Sequence, residues 1–271
     1  MIAEMLSFPF LVRALAAGSL LALCAALLGV PLVLKRYSMI GDGLSHAGFG
    51  ALAVAMALNA APLTVAIPLV LLAAFLLLRL SENSKLKGDA AIALISSSAL
   101  AIGVLIMSVA RGTTADVYNY LFGSILAVVQ ADFILSLALS IIVLVMYLLC
   151  YHRIYAITFD ETFARSTGIR ASAYNALLAL LTALVIVLGM RLMGAMLISS
   201  LLIFPPLTAM RLCKSYRGVV VTAAVLSVLC FALGLVLSFA LDTPSGATVV
   251  AVNLVAFLGF SAIEAIRKRW G

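Results

Sequence analysis

Asp42 and His46 stand four residues apart in the stretch GDGLSHAGFG, residues 41–50, inside a sequence that otherwise keeps polar side chains out of its apolar segments. On a helix this spacing sets both side chains on one face with Cβ atoms about 5–6 Å apart. One cation fits between them. A hard carboxylate oxygen and a borderline imidazole nitrogen together suit a divalent transition metal. Ionisable groups at membrane depth are costly and usually mark an ion or substrate route. The competing reading is a structural pair in which Asp42 and His46 satisfy each other, since histidines also serve as hydrogen-bonding links between helices.

The chain that must position this pair is a membrane protein. Its 271 residues are 66% hydrophobic and only 10% charged, and the mean hydropathy is +1.28, far outside the range of soluble domains. The first apolar run, 14–34, has no charged segment before it and no small-residue cleavage site, so it is expected to be a transmembrane helix and not a removed signal peptide. Further apolar runs cover 40–58, 62–78, 90–110, 131–150, 172–190, 193–210, 218–240 and 247–264, most of them near the ~20 residues a helix needs to cross the hydrocarbon core. The expected fold is an all-α integral membrane protein, a polytopic bundle of eight or nine transmembrane helices forming a single domain over 1–271. The segment 113–130, TTADVYNYLFGSILAVVQ, leaves the count open, being a re-entrant or interfacial helix in which Tyr118 and Tyr120 suit the aromatic belt and Asp116 can draw in a cation.

Cytoplasmic loops collect Lys and Arg. With alternate loops placed inside, fourteen of the 17 Lys and Arg residues fall in the cytoplasm and only Arg13, Arg111 and Arg191 outside. The amino terminus is therefore expected outside and the carboxyl terminus in the cytoplasm. The net charge of +7 then follows from topology and anionic headgroups, and it gives no reason to invoke nucleic acid.

The longest inner loop, 151–172, reads YHRIYAITFDETFARSTGIRAS. Asp160 and Glu161 stand where the first turn of a short helix favours acids. Phe159, Phe163 and Ala164 can form one apolar face, and Gly168 is a stop. Such a helix either docks a partner or lies against the headgroups. In the seventh apolar run, Pro205 and Pro206 impose a kink, which is tolerated where neighbours or a cavity satisfy the freed carbonyls, so this run is expected to line the centre. Met190, Met193 and Met196 read as gap-filling core. Asp242 reads as a turn or capping residue in DTPSGA, and His152 as an interfacial side chain. The four cysteines show no paired spacing and no metal-binding or redox CxxC.

There is no GxxxxGK[ST] loop to bind a nucleotide and no HExxH metalloprotease motif. The scarcity of polar groups argues against an intramembrane enzyme. Energy must come from a partner protein or an ion gradient.

Four stretches together resemble a permease subunit of the ABC-3 family, the membrane component of bacterial zinc, manganese and iron ATP-binding-cassette importers: GDGLSHAGFG after a basic KR exit, YLFGSILAV, FDETFARSTGI, and GAMLISSLLIFPPLTA followed by DTPSGATVV. The resemblance covers nearly the whole chain. It implies residence in a bacterial inner membrane, a second permease subunit as a homodimer or paired partner, cytoplasmic ATPase subunits and an extracytoplasmic metal-binding protein. It further implies that 159–169 is the coupling helix, with Phe159, Asp160, Glu161, Phe163, Ala164 and Gly168 as the ATPase contact. Asp42 and His46 would lie on the metal path. No permanently bound cofactor is expected; Zn2+ or Mn2+ is the transported substrate, and the expectation leans to zinc. The alternative is a stand-alone cation channel or secondary transporter, which has no use for a docking helix.

Overall fold

The computed structural model describes residues 8–83, 88–110 and 130–270, and every regular element among them is an α-helix. In chain order these are α1 (Pro9–Leu34), α2 (Ile40–Ala57), α3 (Pro62–Asn83), α4 (Gly88–Val109), α5 (Gln130–Phe159), α6 (Glu161–Ser166), α7 (Ala171–Met193), α8 (Ala195–Leu212), α9 (Tyr216–Leu241) and α10 (Ser245–Trp270). Eight of them are long and apolar enough to cross a membrane. The remaining long helix is α2, whose 18 residues extend about 27 Å and whose apolar character is diluted by Asp42 and His46. The segment 113–129, with Asp116, Tyr118 and Tyr120, lies outside the described residues, as do Lys85, Lys87 and Arg111.

Burial orders the helices from centre to rim. In the apolar windows of α1 and α7, 72% of residues are buried, against 61% for α8 and 11% for α10. The proline-bearing helix α8 is therefore inner, with Pro205 and Pro206 buried, but α1 and α7 hold the centre. Apolar contact has little driving force among lipid tails, so close backbone approach through small residues carries much of the packing. At Gly29 of α1, an added Cβ would lie 2.1 Å from the Leu202 carbonyl oxygen of α8. At Gly50 of α2, it would lie 2.8 Å from the Ala99 carbonyl oxygen of α4. Methionine fills gaps as expected, with Met190 and Met193 buried, while Met196 is exposed.

Polar side chains tie the helix ends together. At one end, Arg191 of α7 meets Asp132 of α5 at 3.2 Å. At the other, Arg211 of α8 pairs with Glu264 of α10 at 3.0 Å and stacks on Phe257 with 4.7 Å to the ring centroid. This second end also carries α6 and is called the loop end below. Asp242 takes the left-handed conformation, φ 51°, as the carboxyl cap of α9, in keeping with its expected turn role. All four cysteines are free.

One boundary differs substantially from expectation. The fifth apolar run ends near residue 150, yet α5 continues to Phe159, so the first nine of the 22 residues of the expected loop extend this helix. Ile154 and Ile157 explain the extension, since both are buried on the face turned toward the protein. Polar residues such as His152 and Arg153 interrupt the apolar run without ending the helix.

Candidate functional site

The pair occupies the first two turns of α2. Asp42 lies in the first turn, where the helix macrodipole favours a carboxylate, and His46 lies one turn on. His46 Nε2 and Asp42 Oδ2 are 3.6 Å apart, with the histidine side chain 24% exposed and the aspartate 50%. That separation is beyond a normal hydrogen bond. It is close to the ~3.4 Å expected between two donors that each lie about 2.1 Å from one tetrahedral ion. His46 Nδ1 is buried and has no hydrogen-bond partner, so the imidazole is not fully satisfied by Asp42.

The surroundings follow from the GDGLSHAG pattern. Residues 41, 43 and 48 are glycines whose absent Cβ atoms make room for Leu202, Ile92 and Met190 respectively, and this holds α2 close to α8, α4 and α7. Between Asp42 and His46, the buried Ser45 hydroxyl lies 2.9 Å from Ser199 Oγ of α8. Each hydroxyl also lies within hydrogen-bond distance of a carbonyl on its own helix, Gly41 for Ser45 and Ala195 for Ser199, so one of the two donates across the helices while the other bonds its own backbone. Ser199 was legible as a polar residue in an apolar span, but nothing in the sequence paired it with Ser45.

α1 ends at Leu34 and α2 starts at Ile40, so the pair sits near the loop end and not at the centre of the bundle. Among the described residues, no group of three or more His, Cys, Asp or Glu side chains converges as a metal site. One chain thus offers two donors.

The second candidate region is α6. Asp160 is its amino-terminal cap, its carboxylate accepting from the Phe163 backbone N–H at 2.8 Å. The helix stops at Ser166, and Gly168 follows in a positive-φ conformation, φ 86°, with nothing within 4 Å of an added Cβ. The expected single apolar face of Phe159, Phe163 and Ala164 is corrected by the structure. Ala164 is fully buried against Ile157 and Ala171, whereas Phe159 and Phe163 are 60% and 64% exposed. Residues 163 and 164 are about 100° apart around a helix, so in this short helix one faces the bundle and the other faces away. Phe159 packs on Tyr155 and on Tyr216 of α9, with centroid distances of 5.0 and 5.7 Å.

Glu161 fastens α6 to the bundle. Its Oε2 lies 3.3 Å from Lys35 Nζ, at the carboxyl end of α1, and accepts from Asn175 Nδ2 of α7 at 3.1 Å. Its Oε1 accepts from Arg165 at 2.6 Å, and Lys35 also donates to Asn175 Oδ1. Partial burial acts to raise the Glu161 carboxyl, but the hydrogen bonds from Asn175 and Arg165 and the charge of Lys35 outweigh it and hold the group below its ordinary value. Neither Lys35 nor Asn175 was singled out by sequence for this role. Lys35 read as a topology charge, and the signal for Asn175 was its position as a lone amide in an apolar run.

The described chain is thus a bundle of helices long and apolar enough to cross a membrane, with Asp42 and His46 side by side on one of its helices and a capped short helix at one end. The chain belongs to the ABC 3 transport family, which it matches over residues 7–264. It is 31% identical over 254 residues to the manganese transport system membrane protein MntC of Halalkalibacterium halodurans, covering 94% of this chain and 87% of that protein. It is 33% identical over 251 residues to the high-affinity zinc uptake system membrane protein ZnuB of Haemophilus influenzae, covering 93% and 96%. Among solved structures, it resembles PsaBC from Streptococcus pneumoniae, in complex with Fab, with a TM-score of 0.85 and 30% identity over 96% of this chain and 95% of that one. An inward-facing metal-chelate type ABC transporter shares the fold at a TM-score of 0.74, with 16% identity and coverage of 93% and 85%.

Proposed function

We propose that this chain is the permease of an ATP-driven importer of divalent transition-metal ions, and that Asp42 and His46 lie on the ion's path. The observation carrying the site is the 3.6 Å separation of an acid oxygen and an imidazole nitrogen in a member of a transport family. Zinc is the first cargo to test, on the strength of the imidazole donor. Manganese is the second, because relatives carrying either metal's name are comparably similar to this chain. A two-donor site binds weakly, as a site that must release its ion requires, and a second copy of the permease facing the first would complete a four-donor set.

Coupling to ATP hydrolysis follows from the loop end, which we place in the cytoplasm on the excess of Lys and Arg there. Exposed Phe159 and Phe163 form the contact with a separate ATPase subunit, while buried Ala164 and the Glu161 cluster transmit its movement. Glu161 holds Lys35, and Lys35 is seven residues from Asp42 through the turn that joins α1 to α2. Tilting α6 therefore pulls on the start of the helix that bears the metal pair. The extracytoplasmic binding protein delivers the ion at the opposite end.

The test is co-reconstitution in vesicles with an ATP-binding-cassette ATPase and a metal-binding protein from the same organism, measuring ATP hydrolysis and accumulated zinc and manganese. ATP-dependent accumulation of one metal is the expected result. Accumulation driven by an ion gradient without the ATPase would instead favour a secondary transporter.

A further inference from the structure

A groove of about 600 Å³ opens between α5 and α9 near the loop end, separate from the metal pair and from α6. Its lining changes character along the helix axes. On α9, Arg217, Val221 and Val225 line it at successive turns, and on α5, Leu148 and His152 do so. Both helices place their basic residue nearer the loop end, because α5 runs toward that end and α9 runs away from it. Valine and leucine then continue the groove for about 12 Å toward the bilayer centre, the length of the eight residues from 217 to 225. Leu148, Val221 and Val225 are exposed, and Tyr151 lies at the basic end, in edge contact with His152.

Neither Arg217 nor His152 is ion-paired with an acid among the described residues. A cation over an apolar channel at the level where helices leave the membrane complements a phosphate attached to acyl chains. We propose that this groove is a binding site for one anionic phospholipid, with Arg217 and His152 on the phosphate and the Leu148, Val221 and Val225 surface on an acyl chain. Arg217 is the main determinant, because its guanidinium is always charged and matches phosphate geometry bidentately. A basic residue near an anionic membrane surface strengthens attraction enough for roughly a fivefold change in occupancy. An inorganic phosphate cannot use the apolar part, so the lipid and not the free anion is the occupant.

The experiment is native mass spectrometry of the purified full-length permease with equal amounts of phosphatidylglycerol and phosphatidylcholine. The expected result is one preferentially retained phosphatidylglycerol. Arg217→Gln should lower its retention about fivefold relative to wild type, and Val221→Trp, which fills the channel and keeps the charge, should lower it as well. Both positions are exposed, and an unchanged size-exclusion profile checks that the variants remain folded. Equal retention of the two lipids, or no effect of Arg217→Gln, would overturn the site. So would retention lost equally to inorganic phosphate, or a disulfide between two copies of Val221→Cys showing that a second chain covers the groove.

Discussion

Lys35 and Glu161, 126 residues apart in sequence, meet at 3.3 Å and join the end of α1 to the short helix α6. The ion pair is one member of a cluster that also contains Asn175 and Arg165. Its expected role is mechanical. Glu161→Gln keeps the shape and removes the charge, so ATP hydrolysis by the assembled transporter should persist while metal moved per ATP falls several-fold. Fold stability should drop by no more than about 1 kcal/mol, because a third of the Glu161 side chain faces solvent and screened pairs contribute little. Exchanging the charges with Lys35→Glu and Glu161→Lys together should recover part of the lost coupling. A transport-to-ATP ratio equal to wild type in Glu161→Gln would argue against the linkage.

The same cluster sets a pH dependence. The folded Glu161 carboxyl is lowered from its ordinary value of 4.5, so the folded state binds its proton more weakly than the unfolded chain does. Its contribution to docking α6 is fully present above about pH 4.5 and is lost as pH falls through the lowered folded value. Backbone hydrogen exchange in 160–170 should accelerate in that acidic window beyond the intrinsic pH trend. In Glu161→Gln the extra acceleration should be absent.

Phe163 and Ala164 are adjacent yet should respond in opposite ways. Phe163→Asp changes an exposed side chain, so the purified permease should keep its thermal unfolding midpoint while losing co-purification with the ATPase. Ala164→Asp places a carboxylate among Ile157 and Ala171, where burial of a charge without a partner is costly, so α6 should detach and become protease-sensitive. Equal midpoints and intact ATPase binding in both variants would remove α6 as the docking element.

Much of this architecture was readable from hydrophobic run length. Uninterrupted apolar stretches located most helices to within a few residues, because lipid leaves a spanning segment no option but to satisfy its backbone internally. The end of α5 was not readable, since what prolongs it is burial of Ile154 and Ile157 against other helices, and only the tertiary arrangement determines which face of a polar segment is covered. The Asp42 and His46 pairing was legible because the helix repeat alone brings them together. The Ser45–Ser199 contact, 154 residues apart, and the Lys35–Glu161–Asn175 cluster depend on which helices become neighbours, and no local pattern encodes that. Phe163 and Ala164 were placed on one face because both are apolar; the structure separates them by exposure.

Gly50 allows α2, the helix that carries Asp42 and His46, to approach α4. The atom nearest an added Cβ is the Ala99 carbonyl oxygen, 2.8 Å away, a backbone atom that cannot rotate aside. Gly50→Val should therefore cost about 1–3 kcal/mol, as overpacking does, read as a lower unfolding midpoint in detergent. A midpoint equal to wild type would mean that the two helices can separate without loss.

The central claim rests on Asp42 and His46, and the most direct measurement is ATP-dependent uptake of radioactive zinc and manganese by vesicles containing equal amounts of wild type, Asp42→Asn and His46→Ala. Asp42→Asn removes the charge that offsets a divalent ion and His46→Ala removes the nitrogen donor, while both positions are partly exposed and the fold should survive. The expected result is loss of most uptake in each variant, tenfold or more for one lost donor contact of about 1.4 kcal/mol, with the ATPase still bound. Normal uptake of both metals by both variants, at normal abundance, would contradict the account and leave the pair a structural feature of the first turns of α2.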